Sequence, residues 1–262
     1  MDQPRSLKPG AAALPLVRIR SLAAPLRATL VTGALALLVA CAGKPTVQTG
    51  ADAETVMDGR LARVDNTRGA LVYIDPDADY ARYRKVRIVP LDVDNVEIIQ
   101  SSASRSMVNR YNREWQLTDS DKSRLREEFR KSMAATIADD GHFEISDEDG
   151  DDVLRLEAMV TRIAPTGPKD DTASRGMGRG YVITDGAGSI SVAMLLADGD
   201  SGEVLAILKD TYDSQNNVNW GINNRVTNLA ELRRAFNSWG SRLQQGLLTL
   251  RDRSAASGAD AS

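Results

Sequence analysis

Apolar residues recur every fourth position in two parts of this chain and every second position in the stretch between them. That change of period restricts the fold more than any other feature. In "LTDSDKSRLREEFRKSMAATIADDGHF", Leu125, Phe129, Met133 and Ile137 form one stripe of a helix. Thr118 stands at its N-cap, Asp119 and Asp121 lie where the helix dipole favours anions, and Gly141 follows its end. "DDVLRLEAMVTRIAP" then alternates Leu154, Leu156, Ala158 and Val160 with Arg155 and Glu157, a strand with one wet face. "GAGSISVAMLLADGDSGEVLAILKDTYDS" reads as two strands joined at "DGDSG", with Ile190, Val192, Met194 and Leu196 sharing a face. Upstream, "KVRIVPLDVDNVEII" is rich in β-branched residues, and Pro90 marks a bend or an edge. A second helix is expected from Asn228, with Glu231 at capping-box spacing. Its stripe runs through Leu229, Leu232, Phe236, Trp239, Leu243, Leu247 and Leu250. Strands, helix, strands, helix imply an α+β fold: a mixed or antiparallel sheet packed by two main amphipathic helices.

Such a body must be held by its core alone, because Cys41 is the single cysteine and no internal disulfide can form. With 42% hydrophobic residues the chain can build that core. The expected organisation is a signal peptide over 1–40, a flexible tether over 41–58, one domain over 59–252 and a disordered tail over 253–262. The tether "AGKPTVQTGADAETVMD" and the tail "SAASGADAS" are small and polar.

The first 40 residues carry Arg5, Lys8, Arg18, Arg20 and Arg27 against Asp2, followed by an uncharged apolar run from Ala28. Basic region, short apolar core and small residues are the parts of a secretory signal. The run is short for a membrane span, which needs roughly 20 apolar residues; an uncut signal anchor is the alternative. Removing five positive charges and one negative charge from the formal −3 leaves −7 for the processed chain. A body that acidic has no average field for nucleic acid or anionic lipid.

Leu38-Val39-Ala40-Cys41 resembles the lipobox of bacterial lipoproteins. The resemblance implies cleavage between Ala40 and Cys41, a diacylglyceryl group on the Cys41 thiol and a further acyl chain on the new amino terminus. Two or more chains anchor stably where one does not. Ala42 after the cysteine points by analogy to the outer membrane, facing the periplasm, with the outer leaflet of the inner membrane as the alternative. Ala40-Cys41-Ala42 also fits an ordinary signal-peptidase site, which would release a soluble periplasmic protein. A reactive free thiol is the other reading.

Other motifs are weak. Asp75, Asp77 and Asp79 have odd-position calcium-loop spacing, but Tyr80 stands where the glycine belongs and Val86 where the bidentate glutamate belongs. "RGMGRGY" lacks the strand-to-helix setting of a nucleotide fingerprint. His142 is the one histidine, just after a helix end, and there is no GxSxG and no zinc-binding cluster. No metal or cofactor is expected. Arg175, Arg179 and Trp220, in the two long loop-like stretches, are the candidate partner contacts.

"LVYIDPDADYARYRKVRIVPLDV", the strand pair with "DGDSGEVL", and "AFNSWGSRL" together resemble a domain-of-unknown-function family of Gram-negative lipoproteins. The resemblance covers most of residues 70–250. It implies an envelope lipoprotein with a compact α/β body, and no catalytic residue. The expectation is a non-enzymatic module anchored to the membrane through acyl chains on Cys41 and contacting an envelope protein or polymer. A carboxylate-dependent hydrolase or carbohydrate-active enzyme, and a lipid carrier, are its rivals.

Overall fold

The computed structural model describes residues 43–100, 115–165, 183–184, 188–214, 221–222 and 225–260, and in them, apart from one short turn of tighter helix at Tyr80–Arg82, fourteen helices and strands follow one another. They are β1 (Thr46–Val47), β2 (Thr55–Val56), β3 (Leu61–Asp65), β4 (Leu71–Ile74), β5 (Lys85–Ile88), β6 (Glu97–Ile98), α1 (Asp119–Ile137), β7 (Glu144–Ser146), β8 (Val153–Pro165), β9 (Ile183–Thr184), β10 (Gly188–Asp198), β11 (Val204–Asp213), β12 (Gly221–Ile222) and α2 (Arg225–Asp260). The main sheet has the order β1-β3-β4-β11-β10-β8-β5-β7, with β2 on β3 and β6 on β8. β9 and β12 form a separate two-stranded ladder. The β10–β11 hairpin and its neighbours β8 and β4 pair antiparallel, whereas β5 and β6 join β8 in parallel. The fold is therefore α+β with a mixed sheet, as the periodicity requires.

Both helices contribute to the core that covers one face of the sheet. Phe129, Met133, Phe236 and Trp239 share it with Leu156, Val160, Val192 and Met194. The two helices run parallel: contacts climb together from Glu128–Arg233 through Thr136–Gly240 to Ile137–Gln244. Phe129 and Phe236 meet edge to face, with centroids 5.4 Å apart and planes at 89°. Gly240 permits this approach, since a Cβ there would lie 2.9 Å from the Thr136 Cβ. On the sheet's other face Arg155, Glu157 and Met159 alternate outward from β8.

Thr118 closes a capping box with Asp121, and Leu125, Phe129, Met133 and Ile137 are all buried, as the spacing implies. Pro90 ends β5 and separates it from β6.

Three expectations need correction. Residues 43–58, the greater part of the expected tether, carry β1 and β2, both paired to β3. Their Thr-Val pairs are β-branched, and they cover a strand edge that would otherwise expose its backbone groups. The second helix starts at Arg225, so Asn228 is not its cap. Glu231 does not reach back to a cap, because its carboxylate takes the Tyr212 hydroxyl at 3.1 Å and pairs with Arg234. Finally, α2 continues through residues 253–260 of the expected tail. Ser254 fastens this stretch, its hydroxyl accepting the Tyr80 N–H at 3.2 Å and donating to the Ala78 carbonyl at 3.4 Å.

Candidate functional site

Ala40, Cys41, Arg175, Arg179 and Trp220 lie outside the described residues. The framework that roots their segments is described, and it gathers those roots at one end of the sheet. Pro165 is opposite Gly188, and Ser189 is opposite Asp213, so the stretches 166–182 and 215–220 leave from the same end. Ile98 lies beside Ile163 there, and Gln100 and Trp115 exchange two hydrogen bonds of 3.0 and 2.9 Å across the base of 101–114. β9 and β12 pair Thr184 with Gly221 and Ile183 with Ile222. The ladder therefore starts four residues after Arg179 and one after Trp220. The amino-terminal strand enters at this end too, since Thr46 is opposite Asp65.

Gly188 and Ser214 lock this end. The Ser214 hydroxyl accepts the Gly188 N–H at 2.9 Å and donates to the Gly188 carbonyl at 2.7 Å. Gly188 has φ +114°, and a Cβ would fall 2.2 Å from the Ala164 carbonyl oxygen, so only glycine fits.

The acidic clusters lie at the opposite end and are spent on structure. Asp75 Oδ1 accepts the Asp77 N–H at 2.9 Å, and Asp79 Oδ1 accepts the Ala81 N–H at 2.9 Å. The calcium-like spacing is thus two turns, as Asp side chains readily make. Asp198 is almost fully buried and surrounded by donors. They are the Tyr83 hydroxyl at 2.6 Å, the Asp200 and Ser201 N–H groups at 3.0 and 2.7 Å, the Ser201 hydroxyl, and the Arg82 guanidinium. Burial raises the Tyr83 and Tyr80 phenols above their ordinary range. Asp147, Asp149 and Asp152 pair with Arg130, Arg87 and Lys85.

Among the described residues three carboxyls are displaced from their ordinary range, all downward. The Tyr73 hydroxyl and then Arg63 lower Glu54, Lys122 lowers Asp94, and Arg233 lowers Glu128 by hydrogen bonding. Arg233 grips Glu128 with Nε and Nη2, each at 2.7 Å. His142 is half exposed; Arg251 Nη2 lies 3.3 Å from its Nδ1 and Asp140 Oδ2 3.9 Å from its Nε2. Its carbonyl accepts from Arg251, tying the end of α1 to α2. Among the described residues no three His, Cys, Asp or Glu converge as a metal site, and no helix is long and apolar enough to cross a membrane. No local spacing in the sequence signals the Glu128–Arg233 and Tyr83–Asp198 contacts, because their partners are more than a hundred positions apart.

Residues 37–243 match a family described as "Protein of unknown function (DUF3313)". No curated protein matches the chain. Among solved structures, a PelC dodecamer from Paraburkholderia phytofirmans is 13% identical. The alignment covers 62% of this chain and 89% of that one, with a TM-score of 0.32. Protein XCC0632 from Xanthomonas campestris, assigned to DUF330, is 11% identical over 66% of this chain and 88% of its own, with a TM-score of 0.39. At such TM-scores these likenesses carry no argument about function or assembly.

Proposed function

The chain belongs to DUF3313, a family of proteins of unknown function, and on that premise we propose that it is a lipid-anchored lipoprotein of the cell envelope. In this reading it is a non-enzymatic binding or assembly module facing the periplasm, held in the outer membrane by acyl chains on Cys41. The observation that carries the reading is where the family match begins. It starts at residue 37, so Leu38-Val39-Ala40-Cys41 falls inside the matched span with the folded body. A signal unrelated to the body would not be expected to share its family match.

Chemistry supports the same assignment. The only thiol of the chain stands where a lipobox cysteine stands, at the end of an apolar run and with no second cysteine to pair with. Two or more acyl chains give an anchor that a net-negative body cannot obtain from its average charge. Confinement to a membrane raises the effective concentration for an envelope protein or polymer. The carboxylate-enzyme reading calls for converging carboxyls with at least one raised; among the described residues the displaced carboxyls are lowered, and the Asp75–Asp79 and Asp198 side chains organise turns.

Replacing Cys41 by Ala tests the proposal. Wild type should fractionate with membranes and show the mass of a diacylglyceryl group plus an amide-linked chain. Cys41→Ala should remain an unprocessed precursor without that added mass. An unmodified thiol on the natural product, or an amino terminus beyond residue 41, would overturn the assignment.

A further inference from the structure

We propose that the end of the sheet at Gly43 rests on an anionic phospholipid surface, with the acidic turns directed away from it. This orientation rests on the acylation of Cys41 proposed above. A coil running to residue 58 would leave the body free to tumble some 20–25 Å from the bilayer. The structure removes that freedom, because β1 begins at Thr46 and is already paired to β3. Four residues lie between Cys41 and Thr46, and the five steps from one to the other reach at most about 18 Å. Gly43 itself lies against the body, 3.1 Å from Asn66 Cγ when its missing Cβ is built. An acylated Cys41 therefore holds the turn 66–70 close to the headgroups.

The charges at this end suit that surface. Lys44, Arg68 and Lys209 are exposed, and none of them pairs with a carboxylate among the described residues. Lys209 is opposite Leu71, so it borders the same turn. The carboxylates nearby are engaged: Asp65 takes Gln48 and Arg63, Asp210 takes Trp239 and Arg242, and Asp213 also has a partner. The turns 75–79, 147–152 and 198–203 all lie at the other end of the strands, where the negative charge collects. Attraction to headgroups fades over a Debye length, about 8 Å at physiological ionic strength. Only groups held close by the short link can use it, and repulsion of the acidic end reinforces the same orientation.

The test uses the processed, acylated protein, purified from membranes, in phosphatidylcholine vesicles with or without phosphatidylglycerol. Its acylated Cys41 cannot react, so Ala70→Cys and Asp200→Cys each accept a single fluorophore, at exposed positions on opposite ends. With headgroup-nitroxide lipids, the label at 70 should be quenched about threefold or more over the label at 200 in anionic vesicles. Adding Lys44→Glu and Arg68→Glu should bring that ratio toward one while the protein stays bound. Equal quenching of an acylated, vesicle-bound protein overturns the orientation and leaves the anchor standing. A ratio insensitive to the two charge reversals overturns the role of Lys44 and Arg68. Protein without acyl mass overturns both readings.

Discussion

Gly188 and Glu128 illustrate what individual residues contribute beyond what spacing can reveal. Gly188 combines a left-handed φ with a 2.2 Å approach of any Cβ to the Ala164 carbonyl, so Gly188→Ala must push strands β8 and β10 apart. It is expected to destabilise the protein by about 3 kcal/mol, read from urea unfolding. Glu128 is bound in a fork by Arg233, whose hydrogen bonds hold its carboxyl below the ordinary value of 4.5. A lowered folded pKa means that this contribution is complete above the unfolded carboxyl's pKa and is lost as the pH falls through the folded one. Glu128→Gln should therefore cost about 1–2 kcal/mol at pH 7, since Arg233 is half exposed. The difference from wild type should shrink on acidification below pH 4.5. Equal differences at pH 7 and pH 3.5 in denaturant titrations would remove the ion pair as the cause. The Thr118–Asp121 box was readable because its partners are three positions apart. The need for glycine at 188 was not, because it is imposed by Ala164 on another strand.

At the scale of elements, two periods were enough to locate α1, the long strands β8, β10 and β11, and the inner stripe of α2. Each has enough turns or alternations for its apolar face to stand out. β1 and β2 are two residues each, too short for any period, and exist because β3 offers them an edge. The extra length of α2 was equally hidden, because Ser254 is held by Ala78 and Tyr80 rather than by its own neighbours. The helix pair depends on Phe236, fully buried and in ring contact with both Phe129 and Trp239. Phe236→Ala is expected to cost about 3–5 kcal/mol by leaving a cavity between helices and sheet. Thermal unfolding would check this, and a loss below about 1 kcal/mol would mean that the two helices can close over the space.

For the whole molecule, the sequence supplied the class of fold and a place to look for an anchor, but not the order of the strands. Parallel pairing of β5 with β8 joins Val86 to Leu154, a pairing that no single stretch of sequence displays. The gathering of the loop roots and the amino-terminal strand at one end likewise emerges only from the assembled sheet. Composition alone marks Arg175, Arg179 and Trp220 as candidate contacts, and the fold adds the common end at which the strands flanking their segments stop. The strand order has one more consequence. β4 finds its partner in β11, β5 waits for β8, and the core is sealed by Phe236 and Trp239 near the carboxyl terminus. Early segments can thus pair only in part, β3 with β1, β2 and β4, and their core face stays open until the last part of the polypeptide is present. Such non-local topologies fold slowly, so a chain threaded through a membrane from its amino terminus would remain pliable until its final helix had crossed.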